Sequence, residues 1–123
     1  MLIPCQLRRR VAPDAAGYLR FHPADPDAAL RHGVALRAYA HGLGLPRPSL
    51  YLDEGLTWRG RLPAYERLLG AVRAGRYGIV LIPGPWVFGL SDEVARRRRA
   101  ELSAHCRVLE RPGRRPGRYE PGP

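Results

Sequence analysis

Four consecutive residues, Ile79-Val80-Leu81-Ile82, constrain this chain more than any other segment. A continuous aliphatic and β-branched run offers no polar face to water, which is the pattern of a strand covered on both sides by other elements. Pro83-Gly84-Pro85 ends the run and Gly75 precedes it, so it has the length of a strand and not of a helix. A doubly covered strand belongs to a parallel sheet, and parallel neighbours need helical crossovers between them.

The rest of the chain supplies those crossovers. Ala15-Ala16-Gly17-Tyr18-Leu19-Arg20-Phe21 reads as a short buried strand stopped by His22-Pro23. Asp25-Pro26 is an N-cap followed by proline at the first helical position, opening a helix that runs to about Ala40 and is ended by Gly42 and Gly44. Ser49 to Asp53 is a second strand, and Glu54 to Leu62 is a polar, glycine-bearing loop. From Pro63 a second helix places Tyr65, Leu68, Leu69 and Val72 at i, i+3, i+4 and i+7, hence on one face, with Gly75 as its stop. Ser91 followed by Asp92 and Glu93 starts a third helix, reaching about Ala104. Its Arg96-Arg97-Arg98-Arg99 run covers about 300° of the circumference, so at least one of these side chains must border the buried face and snorkel or pair. Cys106 to Leu109 is a last short strand. The reading is therefore an α/β domain over residues 15–110, an open, mostly parallel sheet with helices on both faces. A basic arm (1–14) precedes it, and a tail of arginine, proline and glycine (111–123), whose composition predicts disorder, follows it. Ligands of such sheets bind beyond the carboxyl ends of the strands, here His22 to Pro26, Asp53 to Arg61 and Pro83 to Ser91.

Composition narrows the classes of function. No stretch approaches the roughly 20 apolar residues of a membrane span, and the three arginines near the amino end follow the apolar start, the reverse of a secretory signal, so a cytoplasmic protein is expected. Cys5 and Cys106 match no ligand spacing, and His22, His32, His41 and His105 show no i, i+4 pair, so neither a metal site nor a cofactor is expected. All 21 basic residues are arginine, a bias typical of a GC-rich genome such as that of a high-GC bacterium. The net charge of +10 is concentrated at the ends: residues 1–10 and 111–123 carry +3 each, leaving +4 for the long middle. Arg8, Arg9, Arg10, Arg111, Arg114, Arg115 and Arg118 are accordingly the candidates for non-specific contacts with the DNA phosphate backbone.

Several pieces of the chain resemble the catalytic domain of the serine recombinases, the resolvase/invertase family. Tyr18-Leu19-Arg20-Phe21-His22 resembles that family's Y-x-R-V-S start, and Leu36-Arg37-Ala38-Tyr39-Ala40 the "LRAYA" of its first helix. Tyr51-Leu52-Asp53-Glu54-Gly55 is similar to its "Y-x-D-E-G" strand end, and Arg67 to Tyr77 to its "RLLxxVRAGRFD" helix. The matches fall in one collinear order across residues 15–110. The resemblance implies a resolvase-like sheet and descent from enzymes in which a serine hydroxyl attacks phosphorus while arginines stabilise the phosphoryl oxygens.

At the implied active site the residues differ. The serine position is His22, the arginine of an R-P pair falls on Leu62, with Arg61 as a possible substitute, and a D-R-L-x-R segment falls on Trp86-Val87-Phe88-Gly89-Leu90. Only Arg20 remains of the charged set. Loss of one such donor typically costs about 100- to 1000-fold in rate, so several losses imply a pseudoenzyme with no intact catalytic residues. The family's long dimerising helix and helix-turn-helix are replaced by Arg-Pro-Gly sequence, so recognition in the family manner is not expected, and the chain is expected to be a monomer or a weak homo-oligomer. The expectation is a DNA-associated domain or a modulator of a DNA-bound partner. The alternatives are a protein-interaction module built on an apolar Trp58/Trp86/Phe88 patch, and residual strand-transfer chemistry at His22.

Overall fold

The computed structural model describes residues 14–55, 62–89 and 91–112. The elements run β1 (Ala15–Phe21), α1 (Pro26–Gly42), β2 (Ser49–Glu54), α2 (Pro63–Arg73), β3 (Ile79–Ile82), a 3-10 turn (Pro85–Phe88), α3 (Asp92–Ser103) and β4 (Arg107–Glu110). The four strands form one sheet in the order β2-β1-β3-β4, and every pairing is parallel. The open α/β sheet expected from the sequence is thus present, with β1 and β3 at its centre.

Side chains alternate across the sheet and divide the core in two. Ala15, Leu19, Ile79 and Leu81 face α1, which covers them with Leu36 and Ala40. Gly17 and Gly33 allow the close approach of this helix: a Cβ at Gly17 would lie 2.8 Å from Leu50 Cδ2 and 3.1 Å from Leu36 Cδ1. On the other face, Ala16, Tyr18, Val80 and Ile82 pack beneath α2 and α3 through Tyr65, Leu68, Val72, Ala95 and Leu102. All four residues of β3 are buried, as a strand covered on both faces requires.

Local punctuation largely follows the sequence, although α1 takes in Gly42 and leaves Gly44 as its terminator. Asp25 Oδ1 accepts from the Ala28 amide and Ser91 Oγ from the Val94 amide. Gly44 and Gly75 adopt φ of 75° and 82°, and the amides that follow, Leu45 and Arg76, donate back to Ala40 O and Ala71 O, closing both helices with the wrap that left-handed glycines permit. The last strand begins one residue later than expected. Cys106 still belongs to the helix-ending turn, its amide donating to Leu102 O, and the ladder starts when the Arg107 amide donates to Gly78 O. Arg111 also departs from the expected tail, since its amide donates to Ile82 O and extends the pairing beyond β4. The arm up to residue 13 and the tail from residue 113 lie outside the described residues.

Among the described α-helices, α2 is the one whose amino end has no capping side chain of its own. Leu62 stands at the N-cap with no side chain able to accept. Asp53 performs that role from the end of β2: its Oδ1 accepts from the Ala64 amide at 2.9 Å, and its Oδ2 from the Tyr65 amide at 2.9 Å and the Tyr18 hydroxyl at 2.8 Å. The carboxylate is 5 % exposed, so these donors replace its water. Asp53→Ala strands two amides and a hydroxyl in the core and is expected to cost about 3 kcal/mol or more. A urea titration checks this through a lower midpoint at unchanged slope; Asp53→Asn, which retains one accepting oxygen, should recover part of the loss.

Candidate functional site

The loops at the carboxyl ends of β1 and β2 and the turn after β3 enclose a cavity of about 240 Å³ lined by Arg20, Phe21, His22, Gly55, Trp86 and Gly89. The last apolar residues of β1 carry Arg20 to its floor. Arg20 is 6 % exposed; its Nη2 donates to Gly55 O at 2.8 Å and its Nη1 to Val87 O at 3.4 Å. Nε is buried without a partner, and no described carboxylate forms an ion pair with the guanidinium. A buried cation held only by carbonyl dipoles leaves a positive field in the cavity. Its geometric role is to tie the end of β2 to the 3-10 turn.

His22 stands at the mouth, exposed. Its Nδ1 accepts a hydrogen bond from the Ala24 amide at 3.0 Å, inside the tight turn that Pro23 begins. In the neutral ring this places the proton on Nε2, because a ring nitrogen that accepts cannot also carry hydrogen. Neither nitrogen then offers a free lone pair for attack. The cavity can attract an anion and donate a hydrogen bond to it, and among the described residues its lining carries no hydroxyl or thiol nucleophile.

The other residues singled out from sequence separate into distinct environments. Leu62 is buried at the entry of α2, and Val87 and Phe88 are fully buried. Phe88 lies parallel to Tyr18 with centroids 5.8 Å apart and edge-on to Tyr65 at 6.1 Å, so the 3-10 turn is anchored by an aromatic plug. Phe88 therefore belongs to the core and not to a surface patch. Trp86 is the aromatic of this turn that reaches solvent, at 41 % exposure, lying over Gly84, where a Cβ would meet its Nε1 at 2.6 Å. Trp58, Arg61 and Leu90, and the arm and tail arginines Arg8, Arg9, Arg10, Arg114, Arg115 and Arg118, lie outside the described residues. The arginine run of α3 divides as its spread around the helix predicts. Arg98 Nη1 donates to Phe88 O at 2.6 Å, Arg99 pairs with Glu110 at 3.4 Å, and Arg96 and Arg97 face solvent.

No protein-family model matches the chain, and none of the curated proteins is detectably similar to it.

Two contributors escaped the sequence reading. The sequence places Asp53 at a strand end and at the start of a ligand loop but does not mark it as a helix cap; the missing cap before Pro63 is the signal that points to it. His32 packs its ring 5.5 Å from that of Trp86, at the rim of the site. Burial, joined by the charges of Arg31 and Arg111 and opposed by Asp25, holds its pKa below the ordinary 6.5. Among the described residues no group of three histidine, cysteine, aspartate or glutamate side chains could hold a metal ion, and no helix is long and apolar enough to cross a membrane. The Cys106 thiol, pushed up by burial and donating to Leu102 O, is a poor nucleophile.

Two outcomes follow from these contacts. Arg20→Met keeps the aliphatic stem but removes the donors to Gly55 O and Val87 O, and should lower stability by about 1–3 kcal/mol in a urea titration. For His32, the unfolded ring takes up its proton near pH 6.5 while the folded ring resists it. Stability is thus full above that pH and declines as the pH falls through the lower folded value. Thermal melts across this range should show a shallower decline in His32→Gln than in the wild type.

Proposed function

We propose that this chain is a catalytically inactive, resolvase-like domain of serine-recombinase type that associates with DNA in the cytoplasm or modulates a DNA-bound partner. The observation that carries the reading is the state of His22. At the position where the resemblance expects a hydroxyl nucleophile stands an imidazole whose Nδ1 is occupied by the Ala24 amide. The setting is consistent with this. Arg20, the retained arginine, spends two donors on main-chain carbonyls, and the segment aligned with the family's D-R-L-x-R fills the core with Val87 and Phe88. A transition state with charge developing on phosphoryl oxygens would find one shielded guanidinium where the family supplies several.

DNA association rests on the charge of +10, most of it at the two ends of the chain. Neutralising phosphates releases counterions whatever the sequence, so such binding is non-specific and steeply salt-dependent. A second reading, a protein-interaction module, is favoured by the exposure of Trp86 next to His32.

The test uses the full chain with supercoiled plasmid and with a short labelled duplex. No nicks and no covalent protein–DNA adduct are expected, and His22→Ala should behave as the wild type in that assay. Duplex affinity should fall by at least ten-fold between about 50 and 200 mM salt. It should weaken when Arg8, Arg9, Arg10, Arg114, Arg115 and Arg118 are replaced by alanine. Nicking that His22→Ala abolishes would overturn the inactive assignment, and affinity indifferent to salt would overturn the DNA association.

A further inference from the structure

The opposite end of the sheet, where the strands begin, carries a second concave surface. Two adjoining hollows of about 450 Å³ and 500 Å³ meet at Arg76. The first follows α2, where Arg67, Gly70, Ala71 and Ala74 recur at i, i+3, i+4 and i+7 and so share one face, with Tyr51 of β2 as the facing wall. The second continues past Tyr77 to the starts of β1 and β2, where Arg47, Ser49 and Asp14 line it. Tyr51 and Tyr77 are fixed by a 3.0 Å bond between their hydroxyls and an edge-on ring contact, which gives the groove a rigid, polar-rimmed wall.

The arginines here share their exposure with Arg73, Arg96, Arg97 and Arg107 but, unlike those, line the two hollows, and they differ from four others of the fold. Arg31 and Arg99 have carboxylate partners, and Arg20 and Arg98 are committed to main-chain carbonyls. Arg47, Arg67 and Arg76 are exposed, and none forms an ion pair with a described carboxylate. Asp14 is the one acid among the described lining residues. Between the cations the floor is made of small side chains, and at Gly70 even an added Cβ would meet nothing within 4 Å. From residue 67 to residue 74 this floor extends about 10 Å at the α-helical rise, comparable with the axial rise of three base pairs of a duplex at about 3.4 Å each.

We infer that this groove anchors the sugar-phosphate backbone of a nucleic acid, Arg47, Arg67 and Arg76 meeting phosphates while Gly70, Ala71 and Ala74 let the backbone lie against α2. A peptide partner would call for apolar pockets to seat its anchoring side chains, and this groove offers unpaired guanidinium groups along a flat floor instead. The inference deepens the DNA-associated reading and rests on it, moving part of the affinity from the arginine-rich ends to the folded domain.

Full-length R47A/R67A/R76A, and separately Gly70→Glu, which sets a carboxylate on the groove floor, are titrated against a labelled mixed-sequence duplex by fluorescence anisotropy over a salt series. All four positions are exposed, so each variant should keep the wild-type melting profile. The triple variant should bind about ten-fold or more weakly at low salt, with the slope of log K against log salt reduced by about 2 to 3. Gly70→Glu should weaken binding in the same direction. R96A/R97A, which removes exposed arginines of α3, should lose clearly less per charge. If the wild type binds with a steep salt dependence but the triple variant matches it, or loses per charge no more than R96A/R97A, the groove is overturned and the DNA association stands. If the wild type shows no salt-dependent affinity, both fall.

Discussion

A buried carboxylate that caps a helix from a neighbouring strand organises this fold. Asp53, next to last in β2, receives the Tyr18 hydroxyl from β1 and holds the first free amides of α2. Hydrogen bonds to a charged group contribute about 1.5–3 kcal/mol each, which is what allows the carboxylate to leave water at all. The start of α2 sets the position of Tyr65, whose ring abuts Tyr18 and Phe88 and whose hydroxyl donates to Glu101 on α3 at 2.6 Å. Through that chain of contacts one side chain relates β1, β2, two helices and the turn after β3. Burial and the nearby Asp53 and Glu101 carboxylates push the Tyr18 and Tyr65 hydroxyls far above their ordinary range, so both remain protonated donors throughout ordinary pH.

The carboxyl end of the sheet is built by the same economy of buried polar groups. Arg20 joins the end of β2 to the 3-10 turn through two carbonyls, while Phe88 seals the turn from below. An arginine fixed in this way stabilises the loops, and its charge reaches the cavity only as a field. The distribution of the other arginines gives the two ends of the sheet different characters. The carboxyl end has cations committed to structure around an exposed indole, and the amino end has cations free to meet an anion. The groove inferred at the amino end rests on that division of labour.

Features decided within a few residues were legible in the sequence. Asp25 and Ser91 cap their helices, Gly44 and Gly75 end theirs, and Ile79 to Ile82 is buried on both faces because nothing in the run tolerates water. At least one of the arginine quartet of α3 had to border the buried face and snorkel or pair; Arg98 reaches Phe88 O, and Arg99 pairs with Glu110. What the pattern did not disclose depends on partners far apart in the chain. Asp53 acts eleven and twelve residues away on α2 and thirty-five residues away on Tyr18, and Arg20 reaches across sixty-seven residues to Val87. Burial or exposure of Phe88 is not decided by the sequence, because a 3-10 turn has no long period from which an inward face can be read. Arg111, placed with the tail by composition, is held by a backbone bond that composition cannot register.

The tautomer of His22 tests the account at its centre. Long-range nitrogen–proton correlation spectra, recorded on the full chain at a pH where the ring is neutral, distinguish the protonated ring nitrogen from the accepting one. The hydrogen bond from the Ala24 amide predicts a proton on Nε2 and an accepting Nδ1. A ring protonated on Nδ1, with a free lone pair on Nε2 next to Arg20, would contradict the account and return His22 to the list of competent nucleophiles.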